Sequence, residues 1–73
     1  MQINVSHSSS TLFDASGSSH IVSKLLLVFL ESQGHDDNDE QELFSTIFGK
    51  CVDAILGEPS FLWVGDYLIN FDQ

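Results

Sequence analysis

FLWVGDYLINF, residues 61–71, decides the fold class. If Gly65-Asp66 is a two-residue turn, the runs on either side become the strands of a hairpin and the chain is α+β. If Ser60 instead caps a helix, with Pro59 just before it, the same residues form a third short helix and the chain is all-α. The aromatic and β-branched content of both runs favours the hairpin. Its register pairs Val64 with Tyr67, Trp63 with Leu68 and Leu62 with Ile69. One face then carries Leu62, Val64, Tyr67 and Ile69, and the other carries Phe61, Trp63 and Leu68 with Asn70. Both faces are apolar, so a sheet here calls for cover on both sides.

Upstream lies the best-signposted helix. Leu43, Phe44, Ile47, Phe48, Cys51, Val52, Ile55 and Leu56 recur as adjacent pairs every four residues, the period of one helical face. Asn38 with Gln41, or Asp39 with Glu42, can form a capping box, and Gly57 with Pro59 ends the run. An earlier helix is capped by Ser18 or Ser19 and ends at Gly34. Wound at the helical period, its apolar face holds Ile21, Val22, Leu25, Leu26, Val28 and Phe29, opposite His20, Lys24 and Glu31. Leu27 falls in the polar stripe and Leu30 at its border. A helix apolar almost all round must be covered on more than one side, and in so small a domain a second chain can supply that cover. A buried strand over KLLLVFL is the competing reading.

The first twenty residues open with short β-type runs, Ile3–Val5 and Thr11–Phe13, among seven serines between Ser6 and Ser19. This suits either a hairpin or one strand with a mobile Ser-rich segment over 6–19. The sequence therefore predicts a single domain over 1–73: two helices packed on a short antiparallel sheet, with all-α as the alternative.

At 73 residues the chain is near the lower limit for an autonomous core. Its 42% hydrophobic content excludes a wholly disordered acidic tail. One cysteine allows no intrachain disulfide and fits a reducing compartment; with no targeting segment visible, the expected location is cytoplasmic. The longest apolar run, Leu25 to Leu30, is too short to span a bilayer.

Charge is the other organising feature. Eleven acidic residues face two lysines, Lys24 and Lys50, for a net charge of −9. Six of the acids fall between Glu31 and Glu42, around GHDDNDEQE. Phosphate binding needs the Lys and Arg this chain lacks, so nucleic acid and anionic membrane surfaces are excluded as direct ligands. A basic surface on another protein is the complementary partner.

Chemistry finds little footing. His35, Asp36, Asp37 and Asp39 lie close together, yet no glycine stands where a calcium loop needs one, so no metal site is assigned. Cys51 sits within the apolar arc of its helix, as a core cysteine. The three histidines share no ligand or triad spacing, the serines have no nucleophile elbow, and glycine loops for phosphate are missing. No catalytic residue and no cofactor are assigned.

The acids Asp36, Asp37, Asp39, Glu42 and Asp53 form the candidate partner-binding array; along the helix Asp39, Glu42 and Asp53 span about 20 Å. Such a row can imitate a nucleic-acid backbone or dock on an ordinary basic patch, and Lys50 interrupts it. Leu27, Leu30, Phe61 and Trp63 are candidate apolar contacts, to a partner or to a second copy in a dimer. The expected function is a non-enzymatic acidic module that inhibits or modulates a basic target, a type common among products of phages and mobile elements. The alternative is a self-associating structural or assembly protein whose acidity serves only solubility.

Overall fold

The structure, a computed structural model, describes residues 1–34, 40–57 and 60–72, with the backbone alone for 40 and 41. Its order is β1 (Gln2–His7), β2 (Ser10–Ser16), α1 (Ser19–Ser32), α2 (Glu40–Ile55), β3 (Ser60–Val64) and β4 (Tyr67–Asp72). The strands form one antiparallel sheet in the order β2-β1-β4-β3, and both helices pack on the same face of it. The fold is α+β, as expected; the all-α alternative is not supported.

The C-terminal hairpin has the register read from the sequence, Val64 with Tyr67, Trp63 with Leu68 and Leu62 with Ile69. Gly65 takes φ +59° at the first turn position, a left-handed conformation that costs glycine nothing. The N-terminal hairpin turns on Ser8 and Ser9, both at positive φ (51° and 70°). Two such residues make the turn twist with the strands, although neither is the Asn or Gly usual there. The Ser-rich stretch 6–19 is thus built into the end of β1, a tight turn, β2 and the cap of α1.

One irregularity in β2 decides which way its side chains face. The turn pairs His7 with Ser10 and Ser6 with Thr11, yet Val5 pairs with Phe13, leaving Leu12 as an extra residue in a β-bulge. Without the bulge the side-chain period of two would put Leu12 and Asp14 beside Val5 and Ile3. With it, Phe13 and Ala15 pack against the core and Asp14 is exposed.

Between the hairpins, β1 pairs with β4 from Gln2–Asp72 to Ser6–Leu68. This aligns Ile3 and Val5 with Phe71 and Ile69, all buried, as the centre of the core. Val22, Leu26 and Leu30 of α1 and Ile47, Cys51 and Ala54 of α2 close over them. Ring contacts tie the layers together: Phe29 of α1 lies 5.3 Å from Phe13 and 6.4 Å from Tyr67, which lies 5.5 Å from His7. His20 meets the edges of Phe44 and Phe48, linking the helices.

Helix α1 starts where expected. The Ser18 side chain accepts from the Ile21 N–H, and Gly34 follows the C-cap Gln33 with φ +86°. Its rotation differs from the sequence reading. Leu30, expected near the polar border as a contact residue, is wholly buried, and Leu27 is half-buried. Ile21, Leu25 and Val28, read as core, are exposed, Val28 at 62%. Cover from the sheet on one side and α2 on the other selects the arc Val22–Ser23–Leu26–Leu30. Ser23 is tolerated there because its hydroxyl donates to the His20 carbonyl at 2.9 Å.

The rotation has a direct test in urea denaturation. Leu30→Ala is expected to lower stability by about 3 kcal/mol through lost burial and a cavity, whereas Val28→Ala should stay within about 0.5 kcal/mol of the parent. Equal losses would show the helix turned the other way.

Candidate functional site

The helices cover one face of the sheet and leave the other open. Strand alternation sends Gln2, Asn4 and Ser6 of β1, Asp14 of β2, Leu68, Asn70 and Asp72 of β4, and Phe61 and Trp63 of β3 to that open side. The face is divided. Phe61 and Trp63, each 59% exposed, stand on the β3 margin. Gln2, Asn4, Asp14, Asn70 and Asp72 line a shallow polar depression of about 260 Å³ further in. Every ionisable group in that lining is a carboxylate.

A second, shallower and more open concavity, of about 380 Å³, runs between α2 and the margin of β3. Glu42, Leu43 and Thr46 line it from the helix and Leu62, Trp63 and Val64 from the strand. Its described lining is mainly apolar, with the exposed carboxylate of Glu42 at its side. Thr46 spends its hydroxyl on the Glu42 carbonyl at 3.0 Å. This cleft exists because Leu62 and Val64 point to the helix side while, among the described residues, no strand lies beyond β3.

The outer surface of the helix layer is the third feature. Beyond Ile21, Leu25 and Val28 on α1, α2 exposes Phe48, Val52, Ile55 and Leu56, the last at 74%. Burial on α2 follows Leu43, Ile47, Cys51 and Ala54, so the second member of each apolar pair is turned partly or wholly outward.

The candidate residues read from the sequence divide accordingly. Phe61 and Trp63 are exposed side by side on the open face, as required of contact residues. Glu42 is exposed beside the cleft, and Asp53 is half-buried farther along α2. Leu27 is half-buried, whereas Leu30 is core and offers no surface. Asp36, Asp37 and Asp39, like His35 and the capping-box positions 38 and 39, lie outside the described residues. Asp14 and Asp72 went unnoticed as site residues, along with Asn4 and Asn70. Their only local signal is alternation with Phe13 and Phe71, and their grouping depends on the β1–β4 pairing.

Among the described residues no set of three or more His, Cys, Asp or Glu side chains could hold a metal ion, and no helix is long and apolar enough to cross a membrane. Cys51 is fully buried between the helix and the sheet, and desolvation pushes its thiol from 9.0 up to about 11. No family model, curated protein or solved structure matches the chain.

The buried thiol has a pH signature. Below pH 9 it is protonated in folded and unfolded chains alike and does not affect the balance. Between pH 9 and about 11 the unfolded chain ionises while the folded one resists, so stability falls as pH rises, by on the order of 2 kcal/mol. Urea melts at pH 8 and 10.5 should show a steeper alkaline loss for the parent than for Cys51→Ala. Equal losses would show that Cys51 is not desolvated.

Proposed function

We propose that the chain is a non-enzymatic protein-binding module that docks on a basic surface of another protein and thereby inhibits or modulates it. The observation that carries this reading is the pair Phe61 and Trp63. Two large aromatic side chains stand exposed on the uncovered face of the sheet, which also carries the carboxylates of Asp72 and, on its far margin, Asp14, while Glu42 stands on the helix side of β3. Aromatic anchors supply most of the energy in protein interfaces, and surrounding charge speeds encounter and sets orientation. With a net charge of −9, that orientation favours a basic partner. The acids at 36, 37 and 39 contribute to this reading through charge alone.

Affinity capture from the source cells tests it. The parent should retain a basic protein at low salt and release it near 0.5 M, where charge attraction is screened. Phe61→Ala/Trp63→Ala and Asp14→Asn/Glu42→Gln/Asp72→Asn should each lose that protein while keeping the parent's melting temperature within a few degrees. The same protein held equally by all three baits would overturn the reading.

The outer helix layer favours a second reading, self-association. Seven apolar side chains exposed there, from Phe48 at 37% to Leu56 at 74%, exceed what scattered surface residues account for. No described acid falls within either stripe; Glu31, Glu42 and Asp53 lie outside them on the helical wheel. Sedimentation would then give a dimer mass that persists in high salt and falls to the monomer in Leu25→Glu/Leu56→Glu. A monomer at 100 µM would remove this reading.

A further inference from the structure

We infer that the binding module works by strand addition: an extended, basic-apolar segment of the partner pairs with the outer margin of β3 and fills the cleft against α2. The inference rests on the protein-binding reading above and assigns it a mode. It starts from the hydrogen-bond pattern of the hairpin. A two-residue turn makes Val64–Tyr67 a hydrogen-bonded pair, and bonded pairs then alternate down the strands. Leu62–Ile69 is bonded, whereas Trp63–Leu68 and Phe61–Asn70 are not. The N–H and C=O groups of Phe61 and Trp63 therefore point away from β4, toward the margin where the sheet ends. Among the described residues no backbone hydrogen bond from another element reaches them.

Such a margin is a template for another strand, and proteins that leave one unused blunt it with lysine, proline, charge or a covering element. The described part of β3, SFLWV, carries no charge and no proline. Its opposite number at the far end of the sheet, β2, is protected by a bulge and by Asp14. The β3 margin also differs in having a cleft alongside. Side chains of an added strand would alternate as those of β3 do. One set would enter the apolar space between Leu43 of α2 and Leu62 and Val64 of β3. The other set would lie on the open side beside Phe61 and Trp63, where Lys or Arg can lay its stem along the rings and its charge over their faces.

Charge decides the occupant. Among the described residues the cleft lining carries one ionisable side chain, the Glu42 carboxylate, and the open face carries Asp72 on the neighbouring strand and Asp14 on the far margin. A second copy of this −9 chain would bring like charges to the same margin, and an acidic peptide would be repelled. An extended segment alternating apolar and basic residues satisfies the backbone, the cleft and the charge together. Main-chain pairing gives affinity in this mode of recognition, and pockets for alternate side chains give specificity.

The probe is a capped seven-residue peptide alternating lysine and valine, titrated into the isotopically labelled full chain. Binding should shift the Phe61 and Trp63 amide signals most, weaken at least tenfold near 0.5 M salt, and be absent for the alternating glutamate–valine peptide. Two N-methylated versions, at odd and at even positions, separate strand pairing from simple adhesion. One should bind more than tenfold more weakly and the other within about threefold of the parent peptide, since only one edge of an added strand faces β3. Phe61→Pro removes an outward N–H without breaking a bond to β4, as edge strands allow; it should abolish peptide binding, and also capture of the basic protein, more fully than Phe61→Ala.

Equal binding by both N-methylated peptides, or no binding of any lysine–valine peptide at 1 mM, would overturn strand addition. So would a salt-resistant dimer formed through β3. Undiminished capture of the basic protein by folded Phe61→Pro would also overturn it, while leaving the docking reading intact. Loss of capture in neither the aromatic nor the charge variants would instead defeat the docking reading itself.

Discussion

The pairing of β1 with β4 holds this molecule together. Each hairpin alone would offer the helices an apolar face only two strands wide and nothing to unite it with the other. Joined through their inner strands, they align Ile3, Val5, Ile69 and Phe71 in the middle of a four-stranded sheet, wide enough to seat two helices. Because those residues take the centre, β2 and β3 become the margins. The chain spends both helices on one face, so the other stays open to whatever the strands present there. The position of Phe61 and Trp63 and the marginal place of β3 thus follow from which strands were placed inside.

Much of this was legible in the sequence where the signals are local. The C-terminal hairpin could be read to the residue because Gly65-Asp66 and the alternation on either side agree on one register. The ends of α1 could be read from Ser18 and Gly34 for a similar reason, since capping involves neighbours in sequence. The rotation of α1 could not. Its apolar residues occupy most of the circumference, so the period alone leaves the buried arc undetermined, and Leu30 rather than Val28 is buried because of where α2 and the sheet lie. The buried arc even includes a serine, Ser23, whose hydroxyl is satisfied by its own helix.

The N-terminal hairpin illustrates another limit of local reading. Ser8 and Ser9 adopt a turn that sequence statistics reserve for Asn and Gly, and the bulge at Leu12 has no residue that announces it. Both become intelligible from the sheet: strand twist demands the turn, and the cost of burying Asp14 demands the extra residue. The polar depression on the open face was equally hidden, because Asn4, Asp14, Asn70 and Asp72 come from three strands at opposite ends of the chain. Of the acidic array read along the helix, Glu42 acquires a defined setting beside a cleft.

The sheet order also shapes how the chain reaches its native state. Hairpins and helices close over short stretches of sequence and can form early, but the ladder from Gln2–Asp72 to Ser6–Leu68 joins residues more than sixty positions apart. Closing a loop of that length makes central pairing the slow event. Until it happens, two preformed hairpins each carry an unpaired inner strand rich in Ile, Val and Phe, the kind of edge through which chains aggregate. Mutual repulsion from a net charge of −9 acts on that species as well as on the finished fold. The same acidity that suits a basic partner keeps half-assembled copies apart long enough for β1 to find its own β4.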